Sequence, residues 1–275
     1  MALSVETTQL GAAPTRRTGS ETESAFECYM GIYPDIDGWF GVESAAIWDA
    51  LLSFQRRANV RGHLLEIGVH HGKSAALMAM HAERGFESCV FVDKFLAEAE
   101  VRNALTRAGR TVDESIQLVR MDSMKLPVSP LLSTGYREFR WVHIDGEHTA
   151  RAVMSDLAVA HSLLGDWGIV SVDDFFSWLY PQITEAVLRY VRENPDRFQL
   201  FLCGHNKAYL ARPQFIRELL PFCANQLAGE LEQRGVQAML TKTTWPAEMN
   251  CFGVVARDGD RTHRGPDWEL DAIRF

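Results

Sequence analysis

The sequence predicts an α/β protein with a doubly wound, mostly parallel sheet of seven strands and helices on both faces. Short apolar runs of strand length alternate with helical apolar patterns from about residue 43 onward. Two further apolar runs face each other across His205 and Asn206, which indicates an antiparallel hairpin at one edge of the sheet. With 275 residues, of which 47% are hydrophobic, the chain can bury a full core of this kind. Together these observations predict a Rossmann-like architecture.

The elements follow one another in the order that such a sheet requires. The predicted parallel strands are HLLEIG, CVFVDK, IQLVRMD, FRWVHID and GIVSVDD, at residues 63–68, 89–94, 116–122, 139–145 and 168–174. The hairpin joins FQLFLCG to KAYLARP, at 198–204 and 207–213. Helical patterns lie at 41–57, 73–84, 96–109, 149–164 and 181–194. In the first of these, Ile47, Trp48, Leu51 and Leu52 share one face, as expected of a helix that packs on a sheet.

The chain is expected to divide into three parts. Residues 1–22 are rich in Thr, Ser and Ala and lack the apolar core of a signal peptide, which predicts a disordered tail. Residues 23–212 form the main domain, and residues 213–275 form an extension packed on it. In that extension a helix is predicted around 214–234 and a strand around 251–257.

Composition and charge restrict the partners of the protein. The formal net charge is −8 and no basic run is present, which argues against nucleic acid as a partner. No segment is apolar over the length that a membrane span needs. The five cysteines are scattered and never form a C-x-x-C pair, so reduced thiols in a cytoplasmic protein are expected and a zinc site is not.

A glycine-rich turn, EIGVHHGKS at 66–74, follows the first predicted strand. It is one residue too short for the phosphate-binding pattern G-x-x-x-x-G-K-[ST], which disfavours a nucleotide-phosphate site. The dinucleotide pattern G-x-G-x-x-G also fails, because position 70 is His. The remaining pattern, E-x-G-x-x-x-G after a strand, resembles the first motif of class I S-adenosylmethionine-dependent methyltransferases. The resemblance implies that the turn binds the amino-acid end of the cofactor through Glu66, Gly68, Gly72 and Ser74.

Two more acids stand where such a cofactor needs them. Asp93 ends the second strand, where a carboxylate can accept both ribose hydroxyls. Asp122 ends the third strand, and the resemblance implies a contact with the adenine amino group. An acid at the end of one strand can also simply face solvent. Three acids in register at successive strands favour a cofactor site.

A second set of acids ends the fourth and fifth strands: Asp145 in WVHIDGEH, and Asp173 and Asp174 in VSVDDFF. Three carboxylates this close repel one another unless a cation lies between them. Oxygen ligands without thiolates suit Mg²⁺, with Mn²⁺ or Ca²⁺ as substitutes. The alternative is that one acid of the Asp-Asp pair caps the following helix.

The combination of IDGEH and VDD resembles the metal-dependent O-methyltransferases, in particular the branch with the macrocin and mycinamicin sugar O-methyltransferases and relatives of the cephalosporin hydroxylase protein. The resemblance covers residues 37–212. It implies a hydroxylated small-molecule acceptor, a sugar or phenol of a microbial natural product, and a homo-oligomer. It also makes His148 the catalytic base beside Asp145, although a His at a helix start can instead bond to backbone. Relatives vary at the fifth strand, so the closer ligand of Asp173 and Asp174 stays open.

Other residues leave alternatives open. A non-catalytic accessory subunit on the same fold is the second hypothesis for the whole chain. The aromatic segment 26–40 can close over the site as a lid or cover the sheet edge. Aromatic and polar residues that can line the acceptor pocket, or be plain core, are Trp178, Tyr180, His205 and Asn206. Histidines expected to be structural or to pack within the turn are His143, His70 and His71.

Overall fold

The computed structural model describes residues 24–128, 138–242, 249 and 251–256, so the predicted tail at 1–22 lies outside the described residues. Nine strands occur within them: β1 (His63–Ile67), β2 (Cys89–Asp93), β3 (Ile116–Arg120), β4 (Phe139–Ile144), β5 (Leu164–Val172), β6 (Gln199–Gly204), β7 (Lys207–Ala211), β8 (Ala238–Thr241) and β9 (Phe252–Ala256). They form one sheet in the order β3-β2-β1-β4-β5-β7-β6-β9-β8.

The predicted fold class is confirmed, with two differences in the sheet. The described residues contain nine strands where seven were predicted, because the C-terminal part of the chain adds β9 and β8. Strand β9 pairs parallel to β6, and β8 pairs antiparallel to β9. The prediction that the β6–β7 hairpin lies at the edge is therefore wrong, since β9 covers its outer side. Strand β8 escaped prediction because it has four residues and a single fully buried side chain, that of Ala238.

Eight α-helices accompany the described strands: α1 (Ala25–Ile32), α2 (Val42–Arg57), α3 (Lys73–His81), α4 (Glu98–Arg107), α5 (Ala150–Leu163), α6 (Pro181–Glu193), α7 (Pro213–Phe222) and α8 (Ala228–Gln233). A π-helical turn, Cys223–Leu227, joins the last two and directly follows Pro221, which interrupts the helical hydrogen bonding. The helix predicted around 214–234 is thus present.

Alternate side chains of the central strands enter two separate hydrophobic cores, one on each face of the sheet. Leu64 packs with the residues of α1 to α4, α7 and α8, whereas Leu65 packs with those of α5 and α6. The same alternation places Trp141 in the first core and Val142 in the second. Both faces of the sheet are therefore buried under helices, as predicted.

The strand order reverses between β1 and β4, which are parallel neighbours. The chain runs from β1 outward to β2 and β3 and then returns to the other side of β1. The loops after β1 and β4 consequently separate at this point and leave an opening between them. Pairing continues one residue past β4, since the amide of Asp145 donates to the carbonyl of Ile67, the last residue of β1, at 2.7 Å.

The aromatic segment near the N-terminus is mostly helical and does not cover a sheet edge. Tyr29 of α1 is fully buried in the first core, and its hydroxyl donates to the carbonyl of Lys73 at the start of α3. The loop that follows brings Trp39 and Phe40 to the opening between β1 and β4. The segment therefore packs on the helical layer and contributes one wall of the site.

Polar contacts join the end of helix α8 to helices α2 and α3. Arg234, just after α8, pairs with Asp49 of α2 at 2.6 Å, and Asp49 in turn lies 2.7 Å from His81 of α3. Asp49 and His81 are both buried, so these contacts tie the three helices together away from water.

None of the described helices combines the length and the apolar character that crossing a lipid bilayer requires.

Candidate active site

The carboxyl ends of the central strands border a cleft of about 750 Å³. Seven of the ten predicted site residues line it: Gly68, Ser74, Asp93, Asp145, His148, Asp173 and Asp174. A side pocket of about 270 Å³ adjoins the cleft and includes an eighth, Asp122, together with Gly146. Glu66 and Gly72 complete the predicted set and lie just behind the cleft. The open cleft gives no support to a non-catalytic relative with a filled acceptor pocket.

The turn between β1 and α3 depends on its glycines for a reason of packing. Gly68 has a φ angle of +86°, and a Cβ atom there would lie 1.9 Å from the carbonyl oxygen of Asp145. Gly72 has a φ angle of +83°, and a Cβ atom there would lie 3.2 Å from the Cα atom of Val101. A side chain at Gly68 would therefore separate the turn from Asp145, whereas at Gly72 the positive φ angle is the main reason for glycine and the added contact would be tight.

Glu66 lies beneath the cleft rather than on its surface. Its Oε1 atom accepts from the Ser74 hydroxyl at 2.5 Å and lies 2.8 Å from Nδ1 of His143. Both of these partners line the cleft, whereas Glu66 is fully buried. Burial raises the pKa of Glu66 well above its usual range and lowers the pKa of His143 well below its own. Glu66 therefore does not reach the surface of the cleft, where the sequence predicts that it contacts a cofactor, and bonds instead to Ser74 and His143, which do.

Asp93 fixes the turn by accepting three backbone hydrogen bonds. Its Oδ2 atom accepts from the amides of Val69 at 2.8 Å and His70 at 3.1 Å, and its Oδ1 atom accepts from the amide of Phe95 at 2.7 Å. The carboxylate lines both the cleft and the side pocket. It is therefore held rigidly at the place where the sequence predicts a ribose contact.

Asp122 lies in the side pocket with one oxygen engaged by the backbone. Its Oδ1 atom accepts from the amide of Met124 at 3.0 Å, and its Oδ2 atom lies 3.2 Å from Nζ of Lys94. These contacts, the backbone bond first, lower the pKa of Asp122. Gly146 forms the opposite wall, where a Cβ atom would lie 3.2 Å from Ile67. The pocket thus offers a negatively charged acceptor beside a narrow apolar wall.

The acids after β4 and β5 meet at one end of the cleft. Among the described residues, metal-ligand atoms lie within 4.8 Å of one another in two groups that share Asp145, namely His143, Asp145 and Asp173, and Asp145, His148 and Asp174. Asp174 adopts a φ angle of +55°, a strained backbone conformation that is more common at functional sites than elsewhere. The alternative that one of these acids caps the next helix is wrong, because α6 begins at Pro181 without a side-chain cap.

His148 faces these acids. Its Nε2 atom lies 3.0 Å from Oδ2 of Asp174 and 3.6 Å from Oδ1 of Asp145, without an aligned hydrogen bond to either. The ring stacks on Tyr180 with centroids 4.3 Å apart. The side chain that caps the start of α5 is the hydroxyl of Thr149 and not the ring of His148. Asp145 and then Asp174 raise the pKa of His148 to about 10. Burial, and next the charge of Asp173, raise the pKa of Asp145 to about 6.

Sequence reasoning overlooked the lysine that pairs with one of the acids. Lys207, the first residue of β7, is 2% exposed, and its Nζ atom forms an ion pair with Oδ2 of Asp173. Its neighbour Asn206, which was predicted as a possible wall of the acceptor pocket, donates to Oδ1 of Asp174 at 2.7 Å. The available signal was a lysine at the start of an otherwise apolar strand, KAYLA, next to the strand that carries the acids.

Comparison with known proteins agrees with this geometry. Residues 65–175, from β1 to just past β5, match the family model of a methyltransferase domain. This part of the chain is therefore similar to a methyltransferase domain. The matched region contains the glycine turn and all six acids predicted at the site. No curated protein matches the chain.

Solved structures share the fold of this chain at low sequence identity. The O-methyltransferase NovP is 18% identical with a TM-score of 0.51, and the similarity covers 62% of this chain and 80% of NovP. The calicheamicin methyltransferase CalS11 is 13% identical with a TM-score of 0.50, and the similarity covers 74% of this chain and 99% of CalS11. At these identities the similarity establishes the fold alone, and a substrate has to be inferred from the residues of the site.

Proposed function

We propose that the protein is an S-adenosylmethionine-dependent, divalent-metal-assisted O-methyltransferase acting on a hydroxyl group of a small molecule. The observation that carries this proposal is the convergence of Asp145, Asp174 and His148 within 4.8 Å beside the glycine turn. The two solved structures of the same fold are described as an O-methyltransferase and a calicheamicin methyltransferase, which supports the class of reaction.

The cofactor is proposed to lie along the cleft and the side pocket. Asp93, held by three amides, accepts the ribose hydroxyls, and Asp122 accepts from the adenine amino group. Ser74 and His143, both supported by buried Glu66, face the amino-acid end. The acceptors on this path suit a ligand whose hydroxyls and amino groups are hydrogen-bond donors. S-adenosylmethionine supplies an electrophilic methyl group when it is bound.

A divalent cation of the Mg²⁺ class, Mn²⁺ and Ca²⁺ included, is proposed to bind among the predicted ligands Asp145, Asp173 and Asp174, of which Asp145 lies close to each of the other two. The carboxylate oxygens are close together, they raise the pKa of His148 in the absence of a cation, and Nε2 of His148 is buried without an aligned partner. Such an ion supplies Lewis acidity that orients the acceptor hydroxyl and lowers its pKa.

His148 is the proposed general base. It is proposed to accept the hydroxyl proton at Nε2, which lies 3.6 Å from Asp145 and 3.0 Å from Asp174. Without a cation these acids hold the ring protonated at neutral pH, since its pKa is raised to about 10. If a bound cation compensated their charge, the pKa of His148 would fall and the ring would be able to act as a base. Stacking on Tyr180 keeps the ring oriented.

The acceptor is proposed to be a sugar or phenol of a microbial natural product. Trp39 and Leu179 line the cleft and are 90% and 80% exposed, and Phe95, which also lines it, is 80% exposed. Large exposed apolar side chains around a polar cleft suit a hydroxyl group carried on an apolar or ring-shaped body.

The location and the oligomeric state of the protein are also proposed. A location in the cytoplasm is proposed, in line with five cysteines that are scattered in the sequence and never form a C-x-x-C pair. The protein is proposed to form a homo-oligomer, and light scattering coupled to size-exclusion chromatography would measure its mass against the 31.0 kDa of one chain. A mass of one chain at micromolar concentration contradicts that statement.

The proposed function is tested in two steps. Isothermal titration with S-adenosylhomocysteine should show saturable heat, and no heat at millimolar ligand contradicts cofactor binding. A panel of hydroxylated glycosides and phenols is then incubated with methyl-labelled S-adenosylmethionine and Mg²⁺. Label should enter an acceptor, and transfer should stop with EDTA or with Asp145→Ala. Transfer that persists in that variant with EDTA removes the metal from the proposal.

A further inference from the structure

The hairpin between β6 and β7 delivers two adjacent donors to two adjacent acids. Asn206 donates to Asp174, and Lys207 pairs with Asp173. The hairpin tip is itself fixed, because the amide of Phe175 donates to the carbonyl of Asn206 at 2.9 Å. The two acids are thus held by one rigid turn, but by donors of different charge.

Both oxygen atoms of Asp173 are already engaged by the protein. Oδ1 accepts from the amide of Asp174 at 2.8 Å, and Oδ2 pairs with the ammonium group of Lys207. The rings of Phe40 and Trp48 lie 5.4 and 5.9 Å from the same ammonium, so Lys207 is enclosed and cannot move into water. Asp173 is therefore neutralised by a cation that belongs to the chain.

Asp174 differs from Asp173 in the charge of its partner on the hairpin. Its Oδ1 atom accepts from the neutral amide of Asn206, and Lys207 acts on its charge without forming an ion pair with it. The Oδ2 atom of Asp174 faces His148. Asp174, Asp145 and His148 form one of the two groups of close ligand atoms, and neither carboxylate of this group forms an ion pair with a lysine or arginine among the described residues.

We propose that Lys207 is a positioning residue that withdraws Asp173 from the metal, so that the divalent cation is held by the carboxylates of Asp145 and Asp174. This inference rests on the metal in the proposed function. The ammonium group also reduces the charge of the three acids from −3 to −2, which matches one divalent ion. Asp173 then holds Lys207 and the turn in place and does not ligate the metal.

The test measures Mn²⁺ affinity by isothermal titration, with S-adenosylhomocysteine present, in variants whose folding is checked by circular dichroism. The matched comparison is Asp174→Asn against the double variant Asp173→Asn/Lys207→Met. The double variant removes an acid and a base together, so it preserves net charge and leaves no unpaired buried ion.

We expect Asp174→Asn to weaken Mn²⁺ binding about a hundredfold or more, because a ligand and its charge are lost. The double variant should bind within about threefold of the wild type, since neither lost group contacts the ion. Lys207→Met alone should bind about tenfold more tightly, because Asp173 regains an uncompensated charge beside the ion. Lys207→Arg, which preserves the charge, should restore wild-type affinity.

Equal losses in the double variant and in Asp174→Asn would make Asp173 a ligand and overturn the inference while leaving the metal in place. If Lys207→Met does not fold, the double variant alone decides. A wild type that binds S-adenosylhomocysteine but no Mn²⁺ overturns this inference together with the metal part of the proposed function. The two failures are therefore distinguishable.

Discussion

The Nε2 atom of His148 lies 3.0 Å from Oδ2 of Asp174, across the junction between the loops that follow β4 and β5. The two residues are 26 positions apart and meet because their strands are parallel neighbours in register, with Ile144 opposite Val172. This contact joins a group that can accept a proton to a group that can hold a cation. Its consequences can be measured in several independent ways.

Replacing His148 by Ala should slow methyl transfer by about a hundredfold or more, because a positioned general base is lost. Cofactor binding should be unaffected, since the imidazole lies at the metal end of the cleft. Transfer rates at saturating S-adenosylmethionine, with titration of S-adenosylhomocysteine as the binding control, measure both effects. A variant as fast as the wild type would reduce His148 to a structural role.

The stability of the metal-free protein should fall as the pH rises above neutrality. The pKa of His148 is raised from 6.5 to about 10 in the folded state, so the folded protein binds the proton more tightly than the unfolded chain. The resulting stabilisation is complete below about pH 6.5 and is lost as the pH rises through about 10. Urea unfolding at pH 7 and pH 9.5 in EDTA, compared with His148→Gln, measures it. An equal pH dependence in both proteins would show that the protonation of His148 is not its cause.

Substituting Gly68 by Ala should destabilise the fold and abolish cofactor binding. A positive φ angle costs an L-residue about 1–2 kcal/mol, and overlap with the carbonyl of Asp145 should bring the total to about 4 kcal/mol or more. Gly85 is a matched control, because its φ angle of +80° is similar but a Cβ atom there meets nothing within 4 Å. Gly85→Ala should therefore cost only the backbone term in urea unfolding. Similar losses in the two variants would refute the packing reason for Gly68.

Removing the carboxylate of Asp93 should weaken binding of S-adenosylhomocysteine by about tenfold to a hundredfold. The carboxylate orders the turn through three amides and is the proposed acceptor for ribose, so both contributions disappear in Asp93→Ala. Asp113→Ala is the control, since Asp113 also accepts a backbone bond, from Ser115 at 2.8 Å, but precedes β3 at the opposite end of the sheet. Isothermal titration of both variants would show whether the loss is specific to Asp93.

Much of the site could be predicted because strand ends follow directly from apolar runs. Once 139–145 and 168–174 are identified as parallel strands, the acids after them must lie at the same edge of the sheet. The structure places Asp145 and Asp174 there, one and two residues past β4 and β5. The order of the strands was equally accessible, since consecutive parallel strands with helical connections have few ways to pack.

Other features could not be predicted because they depend on how deeply a side chain is buried and on pairing between strands that are far apart in the sequence. Glu66 lies within β1, opposite Phe91, whereas Asp93 is the last residue of β2, so Glu66 is buried completely beneath Ser74 and His143. Lys207 is conspicuous as the one charged residue of the apolar strand KAYLA, but its partner lies on another strand, so the sequence does not show which acid its charge meets. The pairing of β9 with β6 bridges almost 50 residues, a separation at which local patterns carry no information.

The central claim is that a divalent cation binds where the loops after β4 and β5 meet, next to the bound cofactor. Crystals grown with S-adenosylhomocysteine and MnCl₂, measured at the manganese absorption edge, test it most directly. We predict one anomalous peak within coordination distance of carboxylate oxygens of Asp145 and Asp174, with S-adenosylhomocysteine in the cleft. Density for S-adenosylhomocysteine together with no anomalous peak near these acids would contradict the claim.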